Sequence, residues 1–138
     1  MQKYLKRGIA TDAIIVKGSS IVLIKRKCSP YKGYFALPGG YVDYNETCEK
    51  ACQREVMEET GLKLKVKKLV GVYSNSNRDP RTHTISVCYQ CSVLSGELKS
   101  GDDATEAYWI DLNKLPKKLA FDHKVMIQDY QKIIKNKT

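Results

Sequence analysis

The sequence has no apolar run approaching the ~20 residues that a membrane-spanning helix needs. Ile14-Ile15-Val16 and Ile21-Val22-Leu23-Ile24 are typical of its hydrophobic stretches, so no membrane partner is expected. Behind the basic start, Met1 to Ala10, there is no apolar segment followed by a small-residue cleavage site, and the chain is expected to be unexported and cytoplasmic. It also lacks internal repeats and low-complexity linkers, and its 138 residues leave room for one domain over 1–138 and no appended module.

A disulfide framework is not expected either. Five cysteines, an odd number, without a secretory signal do not make a disulfide framework. Cys88 and Cys91 form a CxxC, but they sit in the alternating run Ile85 to Cys91, where a separation of three puts them on opposite faces of a strand. A shared zinc or redox role is disfavoured by that geometry. Cys48 and Cys52, one turn apart on a predicted helix, are expected to fill core.

Acidic residues are the minority: 15 against 24 Lys and Arg, a net charge of +9. That balance favours anionic ligands, and nucleotide, phosphate ester and nucleic acid all fit it. The basic residues are spread over Lys63 to Lys68, Lys114 to Lys118 and the C-terminal segment, so charge alone does not choose among them.

Residues 8–16 and 20–27 are rich in Ile and Val and flank Lys17-Gly18-Ser19, which predicts two strands joined by a tight hairpin. A short run from Tyr34 to Leu37 stops at Pro38-Gly39-Gly40, where a sharp turn with exposed backbone is expected. A helix is predicted from an Asn45 cap to about Thr60, with Gly61 as its stop. Leu62, Leu64 and Val66 alternate with Lys63, Lys65 and Lys67, predicting a strand with one wet face. Further strands are expected over 84–94 and 107–110. A closing helix from Phe121 would bury Met126, Tyr130, Ile133 and Ile134. Strands, helix, strands, helix is the order of a mixed sheet with helices packed on it.

The central helix carries the chemistry. Cys48, Ala51 and Cys52 form an inward stripe at i, i+3, i+4, and the same stripe continues into Glu55, Glu58 and Glu59. Like charges so placed repel, and a bound hard cation such as Mg²⁺, which takes oxygen ligands and shares its shell with substrate phosphates, turns that cost into a site. A solvated, salt-bridged face is the alternative. From Gly40 the chain has five residues to Glu46, seven more to Arg54, then Glu55-Val56-Met57-Glu58-Glu59-Thr60-Gly61-Leu62. This pattern resembles the Nudix box, GX5EX7REUXEEXGU with U a bulky aliphatic residue, and every defined position is matched.

The resemblance implies an α/β fold of the Nudix type, an α/β/α sandwich with a mixed sheet between helices. It further implies hydrolysis of a nucleoside diphosphate linked to another group, with Mg²⁺ or Mn²⁺ as cofactor. Carried over, Glu55 and Glu59 are the principal metal ligands and Glu58 a further ligand or the base that activates water. The Gly40 carbonyl would complete the metal shell. Arg54 belongs to the same catalytic set, with a guanidinium suited to orienting a carboxylate. Glu46 is expected to favour the helix end or pair with Arg54 rather than bind metal.

The other half of the substrate is sought between two strands, in Gly71 to His83, where Arg78, Arg81 and His83 are candidate substrate-binding residues and a polar, Asn-rich turn is the alternative. Arg78-Asp79-Pro80-Arg81-Thr82-His83 looks like a string found in ADP-ribose pyrophosphatase members of the family, as does Leu119-Ala120-Phe121-Asp122-His123. Those enzymes often carry a proline where this chain has Ser76. Arg26, at the end of the second strand, is a further candidate for phosphate or ribose. Asp102, Asp103 and Glu106 are candidates for an additional acid, or a solvated turn. His123 is a structural hydrogen-bonding candidate at the start of the last helix.

The leading expectation is therefore hydrolysis of ADP-ribose, a small-molecule nucleotide, to AMP and ribose 5-phosphate. A nucleoside triphosphate pyrophosphohydrolase would use the same helix, and a nucleotide- or RNA-binding module is the reading from another class. No RNA-binding signature is present, so nucleic acid is not the expected partner. Family members are often homodimers, but no stripe in the sequence identifies an interface.

Overall fold

The computed structural model describes residues 7–99 and 106–136. Strand β1 (Gly8–Lys17) turns through Gly18-Ser19 into β2 (Ser20–Lys25), with Lys17 paired to Ser20 and Gly18 in the left-handed region. β2 ends two residues before the expected 27. Beyond it the Arg26 amide donates to the Tyr34 carbonyl and the Gly33 amide returns to the Arg26 carbonyl, closing a loop. Two short strands follow, β3 (Phe35–Ala36) and β4 (Gly39–Tyr41), then helix α1 (Cys48–Thr60). Long strands β5 (Lys63–Tyr73) and β6 (Thr84–Ser95), strand β7 (Ala107–Asp111) and helix α2 (His123–Lys135) complete the order.

The strands form one mixed sheet in the order β3-β2-β1-β6-β5, with β4 on β1 and β7 on β2. Only the β1–β6 pairing is parallel among these. Because successive strand residues face opposite ways, β1 supplies both layers of core. Ala13 and Ile15 pack with Cys52 and Val56 of α1, while Ile14 packs with Met126, Ile127 and Tyr130 of α2. Strand β6 divides likewise, with Cys91 toward α1 and Cys88 toward α2, so the CxxC is split across the sheet as its spacing predicts. The lysines of β5 alternate outward as expected, and the strand runs on to Tyr73 because Gly71 to Tyr73 still pair with Cys88 to Ser86.

Two expected helix boundaries move for local reasons. Asn45 is not the cap of α1: it lies at φ 65°, in the left-handed turn before the helix, and Thr47 caps instead, its hydroxyl accepting from the Lys50 amide at 3.1 Å. The helix ends as predicted on Gly61 at φ 80°. α2 begins at His123 because Phe121 sits at φ 53°, outside any helix, and its buried stripe is His123, Met126, Ile127 and Tyr130, leaving Ile134 exposed.

Replacing Thr47 by Ala should lower stability by about 1 kcal/mol in urea denaturation, the usual worth of a cap. Asn45→Gly should not, since glycine adopts the left-handed conformation without strain. A larger loss at Asn45 than at Thr47 would reverse the assignment.

Candidate active site

The turn between β3 and α1 is where the backbone comes closest to other groups. A Cβ on Gly39 would stand 2.0 Å from the Thr11 carbonyl oxygen, and one on Gly40 would stand 2.3 Å from Cδ of Glu55. Only glycine lets β4 pair with β1 on one side and touch the Glu55 carboxylate on the other. The Gly39 amide then donates to Glu59 Oε1 at 2.7 Å, tying the end of α1 to the same turn.

Arg54 organises the start of this face. Its Nε and Nη2 grip Glu46 at 2.7 and 2.9 Å, its Nη1 lies 2.8 Å from Glu55 and 3.5 Å from Glu58, and its Nη2 also reaches the Tyr41 carbonyl at 3.0 Å. Glu46 is thereby a partner of Arg54, and the Arg54 hydrogen bond draws its carboxyl down to about 2. Burial pushes Glu55 above the usual carboxylate range against the pull of Arg54. Burial pushes Glu59 further, up to about 8, opposed by the Gly39 amide and reinforced by the charges of Glu55, Asp12 and Glu58. Glu58 is the exposed member, its side chain 59% accessible. A cluster whose buried carboxylates are reluctant to ionise is short of positive charge, which is the electrostatic signature of a cation site.

No three His, Cys, Asp or Glu side chains among the described residues are gathered into a closed metal cage. The donors present are instead hard oxygens along one helix face beside a side-chain-free strand at Gly40. That suits an ion bound through few carboxylates and completed by water and substrate phosphate.

Around the turn opens a cavity whose lining includes Gly39, Gly40, Glu59, Arg26, Arg81 and Phe121. Arg81 is aimed by Asp79, which accepts from its backbone amide at 2.9 Å and from its guanidinium at 3.1 and 2.8 Å. Arg26 donates Nε to the Pro30 carbonyl at 2.8 Å, and its guanidinium carbon lies 5.0 Å from the Phe121 ring centroid, with that of Arg81 at 5.8 Å. Burial lowers the Arg26 pKa, and the charge of Arg81 lowers it further. Two neighbouring guanidinium groups facing one cavity call for an anion between them. Tyr31 and Phe121, in edge contact at 4.9 Å, both hold positive φ, so two aromatic residues store backbone strain at this wall.

Not every predicted residue joins them. Arg78 lines the cavity, but its donors are committed: Nε and Nη2 fork onto Asp122 at 2.8 to 3.1 Å and Nη1 reaches the Thr84 carbonyl at 3.3 Å. Its guanidinium thus braces the wall of the cavity against Asp122 and the start of β6. His83 is outside the lining. Its Nδ1 accepts from Arg7 and its Nε2 donates to the Ser74 carbonyl, so it ties the base of the loop together. Within that loop Asn75 to Asn77 form a polar turn, while Asp79 and Arg81 line the cavity. Glu106 accepts from the Tyr108 hydroxyl and is not among the residues lining the cavity, while Asp102 and Asp103 lie outside the described residues.

The sequence did not single out Asp12 and Thr84, which both line the cavity. Asp12 accepts from the Ser86 hydroxyl and faces His123 Nε2 at 3.4 Å, while His123 Nδ1 accepts the Leu37 amide at 3.0 Å. Burial pushes the Asp12 carboxyl up, but His123, Ser86 and Arg78 together hold it below the usual range. The signal was an acidic residue interrupting an otherwise apolar strand.

A family model described as NUDIX domain matches residues 6–130, and the chain belongs to the Nudix hydrolase family. Within that family it is 57% identical over 129 residues to an ADP-ribose pyrophosphatase of Methanocaldococcus jannaschii, covering 94% of this chain and 76% of that protein. Its structure is similar to a MutT NUDIX hydrolase from Burkholderia pseudomallei, with TM-score 0.81, 30% identity, and 91% of this chain and 98% of that one covered. It is also similar to a bifunctional NMN adenylyltransferase/ADP ribose pyrophosphatase from Francisella tularensis, complexed with AMP and a Mn ion. There the TM-score is 0.76 and identity 25%, over 98% of this chain and 43% of that one.

Because Glu59 keeps its proton to about pH 8 in the folded protein and only to its ordinary value of 4.5 when unfolded, its contribution to stability is lost as pH rises through that window. In chelator, Glu59→Gln should be more stable than the parent by at least about 1 kcal/mol at pH 8. The difference should shrink toward pH 5. Equal stabilities at both pH values in urea titrations would mean that Glu59 is not strained by burial.

Proposed function

We propose that this chain splits ADP-ribose into AMP and ribose 5-phosphate, with Mg²⁺ or Mn²⁺ held by Glu55, Glu59 and the Gly40 carbonyl and with Glu58 beside them. One observation carries the proposal: a single cavity is lined both by Glu59 with the Gly39-Gly40 turn and by Arg26 with Arg81. A pyrophosphate needs both, since its charge must be matched at the bond that breaks and along the rest of its length. The identity to an ADP-ribose pyrophosphatase supports the choice of substrate.

When bound, the divalent ion supplies charge neutralisation and a lowered pKa for attacking water. The remaining roles belong to the chain. Arg54 holds Glu55 in one rotamer by a 2.8 Å bond and fixes the strand at the Tyr41 carbonyl. Glu58, exposed at the edge of the cluster, accepts the proton of the attacking water. Arg81 and Arg26 bind the anionic substrate, with Asp79 setting the direction of Arg81. Arg78 enters only as the support of the wall they share.

Product analysis with Mg²⁺ should give AMP and ribose 5-phosphate from ADP-ribose and little turnover of nucleoside triphosphates. Glu58→Gln should cut kcat about 10²–10⁴-fold, the range for loss of a general base, with the melting temperature nearly unchanged. Arg81→Ala should act mainly on KM, raising it about tenfold or more. Preferential cleavage of triphosphates would overturn the substrate assignment, and full activity of Glu58→Gln would overturn the role of that residue.

A further inference from the structure

Thr84 opens β6 on the same sheet face as Asp12 and the neighbouring Ser86, and it lines the cavity while only 2% exposed. Its backbone is engaged: it pairs with Gly8 of β1 and its carbonyl takes the Arg78 guanidinium. Its hydroxyl is not. Thr84 Oγ1 is buried and has no hydrogen-bond partner among the described residues. Orphaned buried hydroxyls are uncommon because each forfeits the hydrogen bonds it made in water. Thr11 Oγ1 shares that status but is absent from the cavity lining, so Thr84 alone of the two points to a ligand.

The surroundings say which part of a ligand. A Cβ on Gly8 would stand 2.7 Å from Cε1 of Tyr41 and 3.4 Å from Thr84 Oγ1, so the bare glycine lets the Tyr41 ring approach β1 close to that hydroxyl. Tyr41 remains 44% exposed, with ring surface open to a stacking partner. Gly8 pairs with Thr84, and Thr11 and Asp12, three and four residues further along β1, pair with Gly40 and Gly39, a backbone separation of about 10 to 13 Å between Thr84 and the carboxylate turn. That is the reach of a nucleoside from its phosphates, and the intervening Ala10 leaves the floor low.

We propose that Thr84 is a specificity-determining residue whose Oγ1 hydrogen-bonds the edge of the nucleobase, with the base lying beside Tyr41. The assignment rests on the pyrophosphatase reading above for the identity of the nucleotide, but it is tested by binding alone. AMP carries the nucleoside end of ADP-ribose and ribose 5-phosphate the other, so calorimetric titration of each separates the two. Thr84→Val keeps the shape and removes the hydroxyl, while Thr84→Ser keeps the hydroxyl.

Thr84→Val should weaken AMP binding by about 10-fold, leave ribose 5-phosphate binding unchanged, and melt at the same temperature as the parent or higher, because an unsatisfied group has been removed. Thr84→Ser should bind AMP within about threefold of the parent. Unchanged AMP binding with a raised melting temperature would overturn the proposal and mark the hydroxyl as idle. Weakened ribose 5-phosphate binding with AMP intact would overturn the nucleoside assignment, as would a parent protein that binds no AMP. Should Thr84→Val fail to fold, Thr84→Ala carries the same comparison. A parent that binds AMP but does not cleave ADP-ribose would remove the catalytic proposal while the titrations still decide Thr84.

Discussion

The structure depends on one close approach, that of the Leu37 to Gly40 backbone to everything around it. On one side the Gly39 amide holds Glu59 of α1, on the other the Leu37 amide holds His123 of α2, and between them the Pro38 carbonyl accepts the Ala13 amide of β1. Both helices are thus anchored, from opposite faces of the sheet, to the same four residues. A side chain at 39 would collide with the Thr11 carbonyl and break the β4–β1 pairing, and one at 40 would displace the Glu55 carboxylate from its place beside the turn.

The electrostatics are local despite a net charge of +9. The basic groups near the cavity are used in graded ways. Arg78 is cancelled by a bidentate Asp122, Arg81 is matched by Asp79 yet still faces the cavity, and the Nε of Arg26 is given to a carbonyl rather than a carboxylate. The carboxylates mirror this series, from Glu46 held ionised by Arg54 to Glu59 pushed toward neutrality by burial.

The sequence carried the site wherever the relevant contact is local in the chain. Helix α1, its glycine stop, the glutamate spacing and the Glu46–Arg54 pair all follow from periodicity and residue type within one segment. What it withheld depends on contacts across the sheet. Arg78 and His83 looked like substrate ligands because arginine and histidine in a loop bind anions, but Asp122 and Arg7 reach them from distant parts of the chain. Thr84 looked like a strand former, and only the burial of its hydroxyl distinguishes it. The cap moved from Asn45 to Thr47 because asparagine serves equally in a left-handed turn, and side-chain chemistry does not separate the two uses.

The parallel pairing of β1 with β6 has a kinetic consequence. Antiparallel neighbours can zip from a hairpin, but these two strands meet only after α1 and β5 have been laid down between them, and Asp12 and Ser86 join across 74 residues. Leu37 waits for His123 across 86. Loop-closure entropy must be met before such contacts give anything back, so the cavity belongs to the late, slow part of folding. A nascent chain or proteolytic fragment that stops short of α2 would display every residue of the glutamate helix and still have no finished pocket, which makes the last helix the checkpoint between a recognisable motif and a working site.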